Sequence, residues 1–340
     1  MEWREDEAEK ESRNATGIAE EVNMNERSCI RNRYPDKLAV TPLVPVQLSA
    51  DTPAIWCKLE FLNPSGSTKD RIARYILERA FGAGRLKPGD TVVEASSGST
   101  SIAMALTCAQ LGLHFVAVLP AGVSNERVLM IRAYGGVTHL TPGVAGIRGC
   151  IAESEKLAGE TGAFLPRQFA NPENVEAHQF GTAREILEQI PGGLVDAVVS
   201  GVGTGGTLVG LLRGCSVGHH APRAFLARPV NPGRNRDAEC CSFSCRIPGV
   251  LDCVSSLFHE SDIPDLTTIE VNDQEALETT RELIRKGFPV GASSGLNYRA
   301  AVLAAESFPA ARIVTVFPDR MERYFTTDLF EPFLEASVTR

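Results

Sequence analysis

The chain has no apolar run approaching the ~18 residues that a membrane-spanning helix needs, so no span is expected. It has no excess of positive charge either: 34 Lys and Arg stand against 42 Asp and Glu, a net charge of -8. A nucleic acid or an anionic membrane would require a basic surface, so neither is expected as a partner. Paired cysteines are also missing. The nine cysteines are an odd number, scattered through apolar segments such as 55–57 and 106–108. That pattern fits reduced, buried thiols in a cytoplasmic protein, not a disulfide framework. Cys240, Cys241, Cys245 and Cys253 contain no CxxC pair and have no matching second half, so they read as a loop with free thiols and no metal site is expected. Residues 1–37, rich in Glu, Arg and Asn, lack the apolar core of a signal peptide and read as a mobile or weakly helical extension. Lysine is scarce too. There are seven, and only Lys69 stands in a small-residue loop, not on a charged face.

What is present is an ordinary globular composition, 43% hydrophobic and 22% charged, over 340 residues. That length suits two modest domains or one large one with a substantial core. From residue 38 onward, strands and helices alternate. Segments 43–46 and 54–59 read as strands leading to the Lys69 loop, and Ile72, Ile76, Leu77, Ala80 and Phe81 recur at helical spacing behind it. Further strands are expected over 91–95, 114–119, 137–140, 195–199, 268–271 and 312–317. Helices are expected over 102–111, 124–134, 147–161, 174–190, 274–286 and 297–307. Strands alternating with helices of this length imply parallel sheets covered on both faces. Segment 213–264, rich in Pro, Gly, Cys and Arg, shows little periodicity and reads as a long loop-rich region.

Three Gly/Ser/Thr turns open helices: 96–100, 203–207 and 293–295. In a parallel sheet such turns lie at the carboxyl ends of strands, where ligands bind. Taken alone, Gly203-Thr204-Gly205-Gly206-Thr207 fits a tight βα turn as well as a phosphate cradle. It is no Walker loop, because no lysine follows its glycines. The GxGxGG spacing from Gly201 is not a dinucleotide fingerprint, and no acidic residue ends a strand ~20 residues later. Three such turns beside one isolated lysine suggest an anionic cofactor tethered by the lysine amine. Pyridoxal phosphate has the aldehyde and the phosphate that this arrangement would use.

The loop 58–71, Lys-Leu-Glu-Phe-Leu-Asn-Pro-Ser-Gly-Ser-Thr-Lys-Asp-Arg, closely resembles the cysteine synthase and cystathionine β-synthase family of fold-type II pyridoxal-phosphate enzymes. The likeness continues through Thr41-Pro42-Leu43, Ser96 to Thr100, and Gln168-Phe169 with Asn171-Pro172-Glu173-Asn174 and His178. It resumes at Gly201 to Thr207, Gly291 to Gly295, and Phe317-Pro318-Asp319 with Glu322-Arg323-Tyr324, in order along roughly 38–330.

The resemblance implies two parallel α/β domains of the tryptophan synthase β-like kind. The larger, cofactor-binding domain would comprise 38–84 and 162–335, and the smaller, mobile substrate domain 85–161. It also implies pyridoxal 5′-phosphate as cofactor and a homodimer. Lys69 would be the covalent and catalytic lysine. Gly203, Thr204, Gly205, Gly206 and Thr207 would form the phosphate cradle, and Ser293 would bond the pyridine nitrogen. Ser96, Ser97, Thr100 and Gln168 would grip the substrate α-carboxylate, while His178 reads as a structural histidine. The implied activity is β-replacement on a β-substituted L-amino acid through an aminoacrylate, with O-acetylserine or a similar activated serine as donor and sulfide or another nucleophile as acceptor. β-Elimination, as in a cysteine desulfhydrase, is the alternative within the class, and a non-catalytic binding or scaffold protein the alternative outside it. The chain departs from the family at Ser99, where Asn is usual and contacts the cofactor's ring hydroxyl, at Ser101 for Gly, and at Arg320-Met321. A Ser-Ser-Gly-Ser-Thr loop also occurs in desulfhydrase-like relatives and favours an eliminating activity.

Overall fold

Among the described residues two sheets organise the chain, one of six strands and one of three. The computed structural model describes residues 38–231, 246–250, 254–309 and 311–335. The 1–37 extension and Cys240, Cys241, Cys245 and Cys253 fall outside these residues. Strands β1 (Leu43–Val46) and β2 (Ile55–Lys58) pair antiparallel, because the connection 47–54 is too short for a crossover helix. Helix α1 (Lys69–Gly82) follows, then β3 (Thr91–Ala95), α2 (Ser99–Leu111), β4 (His114–Pro120), α3 (Asn125–Ala133), β5 (Val137–Thr141) and α4 (Gly146–Thr161). β3, β4 and β5 form the small sheet, parallel throughout and adjacent in chain order.

The chain continues through α5 (Glu173–Ala177), a π-helical turn (His178–Thr182), α6 (Ala183–Gln189), β6 (Ala197–Ser200), α7 (Gly206–Cys215) and β7 (Arg223–Val230). It ends with β8 (Thr267–Asn272), α8 (Asp273–Arg285), α9 (Ala292–Ser307), β9 (Ile313–Val316) and α10 (Glu331–Glu335). The large sheet runs β1-β2-β9-β6-β7-β8, and every pairing after β1 is parallel. Leu277, Leu283 and Leu296 of α8 and α9 cover one face, while Ile186, Leu208 and Leu211 of α6 and α7 cover the other. β6 and β9 are therefore buried at every position, and their sequences are apolar without alternation. Cys57, Cys108, Cys150 and Cys215 are buried free thiols, and among the described residues no helix is long and apolar enough to cross a membrane.

Three sequence expectations need correction. The single helix expected over 174–190 is broken by the π-helical turn, where Gly210 and Gly214 of α7 press against His178 and Gln179. The loop-rich stretch 213–264 contains β7, whose run Ala224, Phe225, Leu226 and Ala227 is buried and paired on both sides. Arg223, Arg228 and Pro229 around that run hid its period. Finally, α2 and α9 begin earlier than expected, at Ser99 and Ala292, so Ser99, Thr100 and Ser293 lie in first helical turns. At α2 the Ser96 hydroxyl accepts from the Gly98 N–H (2.9 Å) and the Ser101 N–H (3.3 Å), and these bonds tie up donors left free at a helix start.

Candidate active site

Asp70 builds the lysine loop. Its carboxylate accepts from the Ser65 N–H (2.9 Å) and Ser65 hydroxyl (2.6 Å), closing the chain around Gly66, which has φ +82°. The Thr68 N–H donates to Pro318 O (2.8 Å) and the Arg320 N–H to Gly66 O (3.1 Å), so the loop is stitched to the segment after β9. α1 itself packs Ala73, Leu77 and Ala80 into the core of the small sheet. Lys69, its first residue, is thus held by both layers. Burial pushes the Lys69 ammonium below the ordinary lysine value, against the opposing pull of Asp319 and Glu60. Its amine makes no hydrogen bond or ion pair with the described residues, which is costly for a desolvated cation and suits an amine meant for a ligand.

The turns expected from the sequence meet at one cleft. Lys69, Ser96, Ser97, Ser99, Thr100 and Gln168 line it from one side, and Gly203, Thr204, Gly205, Thr207 and Ser293 from the other. Gly206 lies behind the cradle: a Cβ there would stand 1.9 Å from Asn174 Oδ1. The cradle has no room for side chains at its other glycines either. A Cβ at Gly203 would meet Gly249 O at 2.3 Å, and one at Gly205, which has φ +84°, would meet Phe258 Cβ at 2.3 Å. Backbone N–H groups at the start of α7 are left to face the cleft, where the helix dipole favours an anion. Asn174 Nδ2 donates to Thr204 Oγ1 (3.0 Å) and Gln168 O (2.8 Å), joining the cradle to the opposite wall. Behind Thr207 stands His178, with Nε2 3.3 Å from the Thr207 hydroxyl and Nδ1 2.9 Å from that of Thr182. Burial holds its imidazole down at about 3, so the ring is neutral at physiological pH.

On the loop side, Thr100 Oγ1 donates to Gln168 Oε1 (2.6 Å), and Gln168 Nε2 donates to Ala95 O. Glu94 lies beneath them, accepting from the Ala95 N–H (2.9 Å) and the Gln168 N–H (3.0 Å); burial raises its carboxyl to about 8. Ser99 Oγ donates to Asp319 Oδ2 (3.1 Å) and accepts from Arg323 Nη1 (3.3 Å). The Tyr324 hydroxyl donates to the same carboxylate oxygen (2.8 Å), while the buried Asp319 Oδ1 has no partner. Ser293, which also lines the cleft, carries a hydroxyl bonded to no described residue. An unpaired amine, an amide-lined glycine cradle and a free hydroxyl match the aldehyde, phosphate and ring nitrogen of pyridoxal phosphate, so the residues present fit that group.

Sequence reasoning singled out neither Arg127 nor Asn174 as a site residue. Arg127 also lines the cleft, from α3, an element with no glycine turn to attract attention. Asn174 stood in a family motif at the start of an expected helix, and its packing on Gly206 and its bonds to Thr204 and Gln168 reveal its place.

The profile of a family described as "Pyridoxal-phosphate dependent enzyme" matches residues 35–319. Cysteine synthase of Staphylococcus aureus (strain Mu50 / ATCC 700699) is 37% identical over 305 residues, covering 85% of this chain and 94% of the relative. The crystal structure of O-ureido-L-serine synthase superposes with a TM-score of 0.77 at 35% identity, covering 90% of this chain and 95% of the other. A hydrogen sulfide-producing enzyme from Fusobacterium nucleatum superposes with a TM-score of 0.74 at 30% identity, covering 84% and 96%.

Proposed function

This chain belongs to the pyridoxal-phosphate dependent enzyme family, and on that premise we propose that it catalyses β-replacement on a β-substituted L-amino acid. The donor is O-acetyl-L-serine or a similarly activated serine, and the acceptor is sulfide or another nucleophile. One observation carries the reading: the half-buried, unpartnered amine of Lys69 lines the same cleft as a glycine cradle and a hydroxyl- and amide-lined loop. The cofactor is pyridoxal 5′-phosphate, which when bound supplies an aldehyde for amines and a conjugated ring that draws electrons from the substrate α-carbon. Lys69 would hold it covalently, Gly203 to Thr207 would hold its phosphate, and Ser293 would face its ring nitrogen. Ser99 would stand where the family's ring-hydroxyl contact is made, although its own hydroxyl is bonded to Asp319.

The remaining steps belong to the chain's own groups. Ser96, Ser97, Thr100 and Gln168 bind and orient the substrate α-carboxylate. Lys69 would take the α-proton, and burial lowers the basicity of its amine. A hydroxyl at Ser293, unlike a carboxylate, does not hold a proton on the ring nitrogen. That favours loss of a β-substituent together with the α-proton over transamination. Movement of 85–161 toward the larger domain would exclude water. A cytoplasmic homodimer is part of the same proposal.

The purified protein is expected to show a visible cofactor band that Lys69→Ala abolishes, along with about 10³-fold or more of the activity. A band that survives Lys69→Ala, or none in the native protein, would point to a binding protein that has kept the fold. Donors and nucleophiles are then screened in pairs by product mass. Product from O-acetylserine plus sulfide supports β-replacement. Sulfide and pyruvate released from cysteine alone would instead support the eliminating activity, which the likeness to a hydrogen sulfide-producing enzyme keeps as the second reading.

A further inference from the structure

We propose that Arg127 is a positioning residue for the substrate carboxylate. It fixes the 96–100 loop and supplies the positive charge that the loop's neutral hydroxyls and amides lack. This rests on the reading that the loop takes the α-carboxylate.

The side chain is 6% exposed and comes from the first turn of α3. Its Nη1 donates to Ser97 O at 3.2 Å, which fixes the orientation of the peptide between Ser97 and Gly98. Its stem lies on Gly98, where a Cβ would stand 2.3 Å from Arg127 Cδ and 3.0 Å from Nε. Gly98, with φ +139°, therefore serves two purposes: it permits the turn and admits the guanidinium against the backbone of the loop. On its other side the guanidinium sits 5.1 Å from the centroid of the Tyr324 ring. Arg127 is thus clamped between the loop and the segment that follows β9.

The electrostatic situation is unusual. Arg127 forms no ion pair among the described residues, and its buried Nε has no hydrogen-bond acceptor. The neighbouring Glu126 accepts instead from the Thr326 hydroxyl (3.0 Å). Asp319, the carboxylate in the cleft, already takes Ser99 and Tyr324 and lies 3.5 Å from Arg323. A buried cation without a counter-charge is costly, and the cation–π contact with Tyr324 offsets only part of that cost. An anion arriving at the loop removes the remainder. Because Nε is covered by Gly98, Arg127 acts through the loop and through its field, and needs no contact with the ligand.

The test compares two ligands that differ only in that anion, L-serine and L-serinamide, titrated against the cofactor-loaded protein and followed by the change in cofactor absorbance. Arg127→Met is expected to weaken L-serine about tenfold while L-serinamide stays within about twofold. Arg127→Lys, which keeps the charge but loses the fixed fork, should recover part of the preference and serves as the probe if the Met variant does not fold. Cofactor content and melting temperature should stay at the wild-type values. Equal weakening of both ligands, loss of cofactor, or unchanged L-serine binding would overturn the proposal. Thr100→Val separates this inference from the reading beneath it. If that variant leaves L-serine binding unchanged, the loop is not the carboxylate site and both fall. If it weakens L-serine while the Arg127 variants do not, only the role of Arg127 falls.

Discussion

Glu94 carries the most consequential titration in the site. Its carboxyl is fully enclosed, and burial raises it from 4.5 to about 8, so at neutral pH it is protonated while accepting N–H bonds under the loop. A carboxyl whose folded value lies above its unfolded one contributes stability below the unfolded value and loses it as pH rises through the folded one. His178 works at the other end: its lowered imidazole contributes stability above the unfolded value near 6.5, which is lost as pH falls toward about 3. The two oppose each other between 4.5 and 6.5, and above that window His178 no longer offsets Glu94. Glu94 should therefore pull the melting temperature down between about pH 6.5 and 8, and Glu94→Gln should flatten that slope even if it lowers the absolute value. A slope that Glu94→Gln leaves unchanged would mean that the carboxyl is ionised in the folded protein at neutral pH.

At the scale of elements, the cradle depends on what stands behind it. Gly206 opens α7 against Asn174, and Asn174 in turn ties Thr204 to the turn at Gln168. Gly206→Ala must displace the amide and break both bonds, at about 1–3 kcal/mol, since the neighbouring backbone leaves it little room. Cofactor retained after dialysis should fall with it, by about tenfold in affinity for each 1.4 kcal/mol. Cofactor binding equal to wild type would show that Asn174 has a free alternative rotamer. The π-helical turn has a related role: widening the helix at 178–182 sets His178 between Thr182 and Thr207, one turn behind the cradle.

Across the whole molecule, one buried ionic network joins distant parts of the chain. Arg71 of α1 bonds Glu60 (2.6 Å) and Glu185 of α6 (2.7 Å), and Lys58 of β2 reaches Glu185 at 2.7 Å. Burial alone would raise the Glu60 carboxyl, but Arg71 beside it prevails and holds it at about 2. With two cations balancing two anions, removing one member leaves an uncompensated charge. Arg71→Met should cost about 3–5 kcal/mol, read as a shift in the denaturant midpoint. A loss below about 1 kcal/mol would mean that water reaches the pair. The network anchors α1 on the large-sheet side while its apolar face packs on the small sheet, so Lys69 stays registered if the layers move.

The sequence by itself determined the alternation of strands and helices, the lysine loop and the glycine turns, because period and turn chemistry are local properties. Several distinct family motifs, in order along the chain with the Lys69 loop, made the cofactor legible as well. Only the tertiary structure decided which groups lie behind those motifs. Asn174 beside Gly206, Arg127 beneath Gly98 and Asp319 against Ser99 are each far apart in the chain or on unmarked elements, and a contact between such residues leaves no period to read. The same holds for β7, whose burial comes from neighbours on both sides and not from its own flanks. A glycine in a sequence announces only that a side chain is missing, and the packed structure is needed to say what occupies its place.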